Sequence, residues 1–575
     1  MLNEAMMEQY NRWCDCATGD PDLVAELRSI EGQDEEINDR FYRELAFGTG
    51  GLRGVLGAGC NRMNIYTVRR TTQGLADYLK QHYADSTVAI SYDSRIKSDV
   101  FARESARLLA SCGIGVDLME ELEPTPVLSY AVRALGCQAG IMVTASHNPA
   151  KYNGYKCYGA DGGQMTEKAA GEVMDCIGRH ELFEDVTMPT LDEAVKNGAV
   201  KLIGQDFVEQ FLDRVQKEQI NPGVCEKAGL SVIYTPLNGT GNKPVRRILQ
   251  RIGVADVTVV PEQEYPDGRF PTAPYPNPEI RQSFECALAL AKKKPADLLL
   301  ATDPDCDRVG IAVRKGDDYQ LMTGNEVGCL MLHYILSSRK AAGTLPENPV
   351  AVSTVVSSRL TQAIADRFGC EMRYVLTGFK YIGEQITKLA EAGAPERYQL
   401  GFEESYGYLV GDYARDKDAV VGSMLICEMA SYYKLQGKTL LDVMEDLYRE
   451  FGVYQHSMLN VAFEGEKGMK AMQALMARLR EQPPVEIAGL PVQRVSDYGR
   501  SVSIDCRTGA RTEITLPKSD VLVFELPDSA SVIIRPSGTE PKVKAYLTAT
   551  GASRDEATEL TEQLKRAADA LIRGE

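Results

Sequence analysis

The same order of apolar and polar stretches comes round three times along the chain. Residues 86–95, STVAISYDSR, form a run of apolar and small side chains that ends in a polar turn, the pattern of a buried strand. An alanine- and leucine-rich segment from about 100 to 112 follows with helical spacing, and AGIMVTASHNP (139–149) is a second apolar run opening into a polar loop. The plan recurs with LSVIYTPLNGTG (230–241), a helix beginning near Pro244, and ADLLLATDPDCDR (296–308). It recurs once more with NPVAVSTVVSS (348–358), the helix of RLTQAIADRFG, and RYQLGFEESYGY (397–408). Continuous apolar strands alternating with helices predict α/β layers, whose ligands sit beyond the carboxyl ends of the strands. Each repeat is therefore expected to point one polar loop toward a shared site.

After about residue 450 the pattern changes to a helical stretch, EKGMKAMQALMARLREQ, then short strands around SVSIDCR, VLVFELP and SVIIRPSGTEPKVKAYLTAT, then an amphipathic helix from about 554 to 572. This predicts a separate α+β domain. KEQINPGVCEKAG and LYREFGVYQHS are candidate joints between domains.

Composition narrows the class. A chain of 575 residues exceeds what one core organises, so three to five domains are expected. No run of about 18 uncharged apolar residues is present to span a bilayer. The acidic start, MLNEAMMEQYNRWCDCATGDPD, fits neither a secretory signal nor a transit peptide, so a cytoplasmic location is expected. Trp13 and the methionine-rich start are expected to cap the first domain. Of 14 cysteines only Cys14 and Cys16 are closely paired, too closely for a metal knuckle, so reduced structural thiols are expected. A net charge of −17 argues against nucleic-acid binding; an anionic ligand would need positive charge focused in a cleft.

Chemistry concentrates in the polar loops. TDPDCDR sets Asp303, Asp305 and Asp307 at alternating positions after a strand, and in an extended segment all three carboxylates would face one side. Their repulsion is relieved by a hard divalent cation. An EF-hand is excluded because Arg308 and Arg314 stand where its loop requires glycine and glutamate, so Mg²⁺ is expected, with Arg308 as a phosphate contact. RPSGTEPK (535–542) joins Arg535, the hydroxyls of Ser537 and Thr539, and Gly538, which suits a dianionic phosphate or a surface hairpin equally. FGTGGLRG (47–54) is a flexible glycine loop holding Arg53. Ser146 in TASHNP lacks the flanking glycines of a hydrolase elbow, since Thr144 and Asn148 occupy those places. A triad with His147 is disfavoured because neighbouring side chains on a strand point apart. A serine that accepts and donates a phosphoryl group fits better. His82, His180, His333 and His456 are expected to be structural or solvated.

TASHNP, DPDCDR, FEESYG and RPSGTEP, in that order and together with FGTGGLRG, resemble the α-D-phosphohexomutases over nearly the whole chain. The resemblance implies three similar α/β mixed-sheet domains plus a C-terminal α+β domain around a central cleft, with boundaries expected at 1–205, 206–322, 323–450 and 451–575. It implies a phosphoserine at Ser146 that gives its phosphate to a sugar monophosphate and recovers the other phosphate from the bisphosphate. Asp303, Asp305, Asp307 and a phosphoserine oxygen would surround Mg²⁺. Lys156 resembles the acid/base lysine, His147 an assisting neighbour, and Glu403 and Ser405 the readers of sugar hydroxyls. Arg535, Ser537, Gly538 and Thr539 would hold the distal phosphate, with Arg53, Arg308 and Lys417 as further active-site contacts. A glucose 1,6-bisphosphate or pentose bisphosphate activator, sugar-phosphate ligands, no nucleic-acid or membrane partner, a monomer or homodimer, and closure of the last domain over the ligand follow as expectations.

Phe402 stands between the glycine and the first glutamate of GFEESYGY, and the last loop reads GTEPK, which together resemble the branch of phosphoglucomutases that includes phosphopentomutases. Glucose 1- and 6-phosphate are the expected pair, with pentose phosphates or a phosphomannomutase as alternatives. A non-catalytic sugar-phosphate sensor would lack the serine or an aspartate, yet all are here. A phosphatase using the DPD aspartate as nucleophile would carry that motif after an N-terminal strand, whereas it lies mid-chain.

Overall fold

Apolar runs without alternation become strands buried on both faces, and the three repeats take that form in the computed structural model of the chain, which describes residues 4–48, 50–463, 465–536 and 542–574. The chain divides into two compact units: Met1–Gly324 with Ile382–Gly437, and Asn325–Tyr381 with Lys438–Glu575.

In the first unit β1 (Gly51–Val55), β2 (Thr87–Tyr92), β3 (Gly115–Met119), β4 (Ala139–Val143), β5 (Tyr152–Gly159) and β6 (Val200–Ile203) form a sheet of order β1-β5-β4-β2-β3-β6. β2 runs parallel to β3 and β4, whereas β5 is antiparallel to β1 and β4, so the sheet is mixed. All five residues of β4 are buried, and helices Ser98–Ser111 and Thr125–Ala134 pack against β2 and β4. Trp13 is fully buried and meets Phe41, Tyr66 and Phe183 edge-on, so the first helix, Glu4–Cys16, seals this core as expected.

A second mixed sheet holds β7 (Ser231–Thr235), β8 (Asp256–Val259), β9 (Leu298–Thr302), β10 (Val309–Lys315) and β11 (Asp318–Met322) in the order β11-β10-β9-β7-β8. β7 is parallel to β8 and β9, while β9, β10 and β11 form an antiparallel meander. The third repeat contributes the parallel pair β12 (Val350–Thr354) and β13 (Glu371–Val375) to the second unit. Its antiparallel pair β14 (Tyr398–Glu403) and β15 (Gly407–Leu409) belongs to the first.

The remainder of the second unit is a seven-stranded antiparallel sheet from Val453–Ala462 to Lys542–Gly551, with helix Arg554–Arg573 packed on those two strands. Its core joins Leu475, Leu479, Phe524, Ile534 and Leu564. This is the α+β domain expected after residue 450. All 14 cysteines are free thiols. No helix among the described residues is long and apolar enough to cross a membrane.

Candidate active site

β4 ends at Val143, and the next three residues set the site. Ser146 adopts a left-handed backbone (φ 52°) in a turn that follows the strand, and it is 3% exposed. Its N–H donates to Thr144 Oγ1 at 2.8 Å, and its Oγ donates to Asp303 Oδ2 at 2.9 Å. The left-handed turn corrects an expectation: Ser146 and His147 are not on a strand, so their side chains do not diverge, and Oγ lies 3.1 Å from His147 Nδ1. Burial, with Arg308 and Arg53 nearby, holds the His147 pKa well below the usual imidazole value.

The aspartate loop follows β9. Asp303, Asp305 and Asp307 are almost fully buried, and a ligand oxygen from each lies within 4.8 Å of the others. They do not converge as an extended segment. The chain turns at Cys306 (φ 52°), whose N–H donates to Asp303 O, and Asp303 Oδ1 accepts the N–H groups of Asp307 and Arg308. The turn brings residues four apart together where a strand would have separated them by about 13 Å.

Lys156, on β5, donates to Asp305 Oδ2 at 3.0 Å and lies 3.8 Å from Asp307 Oδ2. Lys417 Nζ lies 3.2 Å from Asp307 Oδ2 and donates to Asp416 Oδ1 at 3.0 Å, and Tyr158 OH donates to Asp416 Oδ2 at 2.7 Å. Burial and the two neighbouring carboxylates raise the pKa of Asp303, and Asp307 moves the same way. Asp305 is held low despite its burial, because the ammonium of Lys156 faces it. Burial opposes the charges of Arg308 and Lys417, yet carboxylates outweigh it: Glu279 and Asp307 around Arg308, Asp307 and Asp416 around Lys417. Arg308 Nη1 donates to Glu279 Oε1 at 2.5 Å.

Oδ1 of Asp305 and Oδ1 of Asp307 are enclosed and accept no hydrogen bond, the latter having only the Arg308 guanidinium nitrogen Nε at 3.7 Å. Buried carboxylate oxygens without donors are costly unless a cation meets them, so the cluster fits a hard divalent ion with oxygen ligands.

The third loop joins the same cluster. Glu403 ends β14 and is buried, Ser405 is half-buried between β14 and β15, and Tyr406 O accepts the N–H of Val309 at the start of β10. Phe402 stacks on Tyr408. Gly407 pairs with Glu403, and a Cβ there would stand 2.1 Å from Lys417 Cδ, so glycine leaves the channel along which the lysine stem runs. Ala419 N–H donates to Cys306 O, tying the segment after Lys417 to the aspartate loop.

Ser146, His147, Lys156, Asp303, Asp305, Asp307, Arg308 and Lys417 thus share one linked network, with Glu403 among the charges that act on Lys417. Arg53 is exposed on β1 opposite Gly154 and contributes its charge to His147. Arg535 belongs to the second unit, on strand Ser531–Pro536, paired with Lys544. Ser537, Gly538 and Thr539 lie outside the described residues. Several partners had not been anticipated: Thr125, which donates to Asp305 Oδ2 at 3.0 Å, and Asp93, Arg95, Glu279, Asp416 and Tyr158. For Asp93 and Arg95 the polar DSR closing the first apolar run was a usable signal; Thr125 and Glu279 carried none.

Models of the phosphoglucomutase/phosphomannomutase domains match the chain in order: alpha/beta/alpha domain I at residues 44–183, domain II at 206–316, domain III at 323–451 and the C-terminal domain at 458–567. A phosphoglucomutase of Staphylococcus saprophyticus is 34% identical over 527 residues, covering 92% of this chain and 94% of its own length. One of Staphylococcus aureus strain USA300 is 36% identical over 518 residues, covering 89% and 91%. Among solved structures, the exocytosis-sensitive phosphoprotein pp63/parafusin (phosphoglucomutase) from Paramecium, in its open form, superposes with a TM-score of 0.68 over 93% of this chain and 97% of that one. At 17% identity that likeness speaks for the fold alone. With four domain matches in sequence, mixed sheets in the first two and relatives aligned over nearly the full length, the chain belongs to the α-D-phosphohexomutase family.

Proposed function

We propose that this chain is a phosphoglucomutase-type isomerase that interconverts glucose 1-phosphate and glucose 6-phosphate through a phosphoserine at Ser146. The observation that carries the reading is the 2.9 Å hydrogen bond from Ser146 Oγ to Asp303, which aims a buried hydroxyl at a three-carboxylate cluster within a chain of this family. Phosphoserine 146 gives its phosphoryl group to the free hydroxyl of the bound sugar monophosphate, forming a bisphosphate. The bisphosphate then returns its other phosphoryl group to Ser146 from the opposite orientation. Asp303, Asp305, Asp307 and an oxygen of phosphoserine 146 would hold Mg²⁺, which when bound neutralises charge on the transferring group. Glucose 1,6-bisphosphate primes the cycle by phosphorylating Ser146.

Lys156 donates to Asp305, within the carboxylate cluster that Ser146 faces, and takes the acid/base role toward the reacting sugar hydroxyl. His147 presents ring nitrogen Nδ1 to Ser146 Oγ at 3.1 Å and assists proton movement. Arg308, Arg53 and Lys417 supply positive charge to the phosphoryl oxygens. Glu403 and Ser405 bond paired sugar hydroxyls in either orientation, as acceptor and as donor or acceptor. Arg535, Ser537, Gly538 and Thr539 hold the non-reacting phosphate. The free thiols support a reducing, cytoplasmic setting.

The test is intact mass with peptide mapping for one phosphate on residues 142–156, then its transfer to sugars. Transfer to glucose 1-phosphate or glucose 6-phosphate, at a higher kcat/KM than to ribose or deoxyribose phosphates, is expected. No phosphate on that peptide, phosphate on Asp303 or Asp305, or a large preference for pentose overturns the reading.

A further inference from the structure

The left-handed backbone of Ser146 is held at both of its peptide groups by two buried, oppositely charged residues just after β2. On one side, Ser146 N–H donates to Thr144 Oγ1, which donates in turn to Asp93 Oδ2 at 2.7 Å. On the other, Ser146 O accepts a hydrogen bond from Arg95 Nη2. The same guanidinium donates to Asn148 O, to Pro149 O at 3.0 Å and to Tyr152 O at 3.1 Å, so four carbonyls, three from the loop and one from the first residue of β5, converge on it. The Asp93 and Arg95 side chains are fully buried, with Arg95 Nε 3.3 Å from Asp93 Oδ2. Asp93 Oδ1 also accepts from Arg95 N–H and from Ser98 Oγ.

The pair is enclosed from domain II. The guanidinium lies 5.0 Å from the ring centre of Phe270. Phe270 follows Gly268, where a Cβ would stand 2.5 Å from Ile96 N and 2.7 Å from Ser94 O, so the two loops touch through backbone. Withdrawal of Arg95 toward solvent is blocked.

We propose that Arg95, backed by Asp93 and covered by Phe270, is a positioning residue for phosphoryl transfer: it clamps the Ser146 loop from beneath and so fixes the direction of Oγ toward Asp303. Its polar contacts are with backbone carbonyls and Asp93, not with Oγ. A non-glycine residue in the left-handed region relaxes to other backbone angles unless its surroundings over-determine it. Only a planar fork with five donors can serve four carbonyls at once; an ammonium on a flexible stem cannot. Released, the loop would still carry a serine, but its hydroxyl would point elsewhere. The inference rests on the phosphoserine reading above.

The experiment uses the full-length protein and follows steady-state kinetics and phosphate on peptide 142–156 in parallel. Arg95→Lys is expected to lower kcat about 100-fold, the loss tied to misplacement near 1 Å, with KM nearly unchanged because the sugar contacts remain. Phe270→Leu, which stays apolar but is smaller and loses the ring over the guanidinium, is expected to lower kcat several-fold, and Phe270→Tyr, which keeps the ring, to leave it near the wild-type value. This pair carries the test if Arg95→Lys does not fold, folding being judged by circular dichroism and melting. Folded variants with wild-type kcat overturn the clamp, as does a rise in KM that accounts for the whole loss. Failure of the wild-type protein to carry or transfer phosphate at Ser146 would overturn the mutase reading itself, which separates the two outcomes.

Discussion

Gly407→Ala tests whether Lys417 works on the aspartate cluster. The added methyl carbon would stand 2.1 Å from Lys417 Cδ and 2.6 Å from Cγ. Carbon atoms settle at about 3.5 Å or more, so Cδ must retreat by about 1.4 Å. The backbone itself accepts alanine, because Gly407 is not among the residues with positive φ. The strain therefore falls on the lysine stem, whose Nζ sits 3.2 Å from Asp307 Oδ2 and 3.0 Å from Asp416 Oδ1. A retreat of that size takes the ammonium out of contact with Asp307. The expected loss in kcat is about 100-fold, or about 2.7 kcal/mol in the barrier, while overpacking against a flexible side chain lowers stability by only about 1 kcal/mol. A coupled assay of glucose 6-phosphate formation gives kcat, and thermal unfolding gives the stability. The discriminating measurement is the double-mutant cycle with Lys417→Ala: in that background Gly407→Ala should lower kcat no further. A full additive loss, or a folded Gly407→Ala enzyme with wild-type kcat, refutes the reasoning.

Ser146→Ala is expected to abolish turnover and the phosphate on peptide 142–156; because the hydroxyl is buried and bonded to Asp303, it should also cost about 1 kcal/mol in stability, read by thermal unfolding. Asp305→Asn should weaken Mg²⁺ binding in calorimetric titration and lower activity with it, since an anionic ligand is lost; an unchanged titration contradicts the metal assignment. Burial raises the pKa of Glu123 to about 7 from the ordinary glutamate value of 4.5. The folded protein then holds a proton that the unfolded chain has released, so this contribution is full below about pH 4.5 and is lost as pH rises through 7, by up to about 3 kcal/mol. Unfolding of the wild-type protein between pH 5 and pH 8 should show that decline, and Glu123→Gln should flatten it; identical slopes would refute the assignment.

Strand runs such as ADLLLATD and AGIMVTAS were legible because fully buried strands tolerate no polar interruption, and each does end in a loop of the site. The aspartates of DPDCDR were legible as a cluster, although the route to convergence was misread: alternation on a strand was expected, and a left-handed turn at Cys306 achieves it. The relation of Ser146 to His147 was misread for the same reason, since local spacing carries no information about a positive φ at a serine. Thr125 and Glu279 could not be found from spacing, because each meets its partner only through tertiary packing, across 180 and 29 positions of chain.

By itself the sequence determined the α/β repeat, the separate C-terminal domain and three of the candidate loops, TASHNP, DPDCDR and FEESYG, because hydrophobic period and short motifs are local properties of the chain. Tertiary structure alone decided that Ser146 is buried rather than on the surface, that its hydroxyl faces Asp303, and that Arg95 and Asp93 hold it there. It also decided that Lys156 faces Asp305 and Lys417 faces Asp307. The reason is physical: direction, burial and charge balance are set by groups brought together from distant positions, and no window along the chain contains both partners.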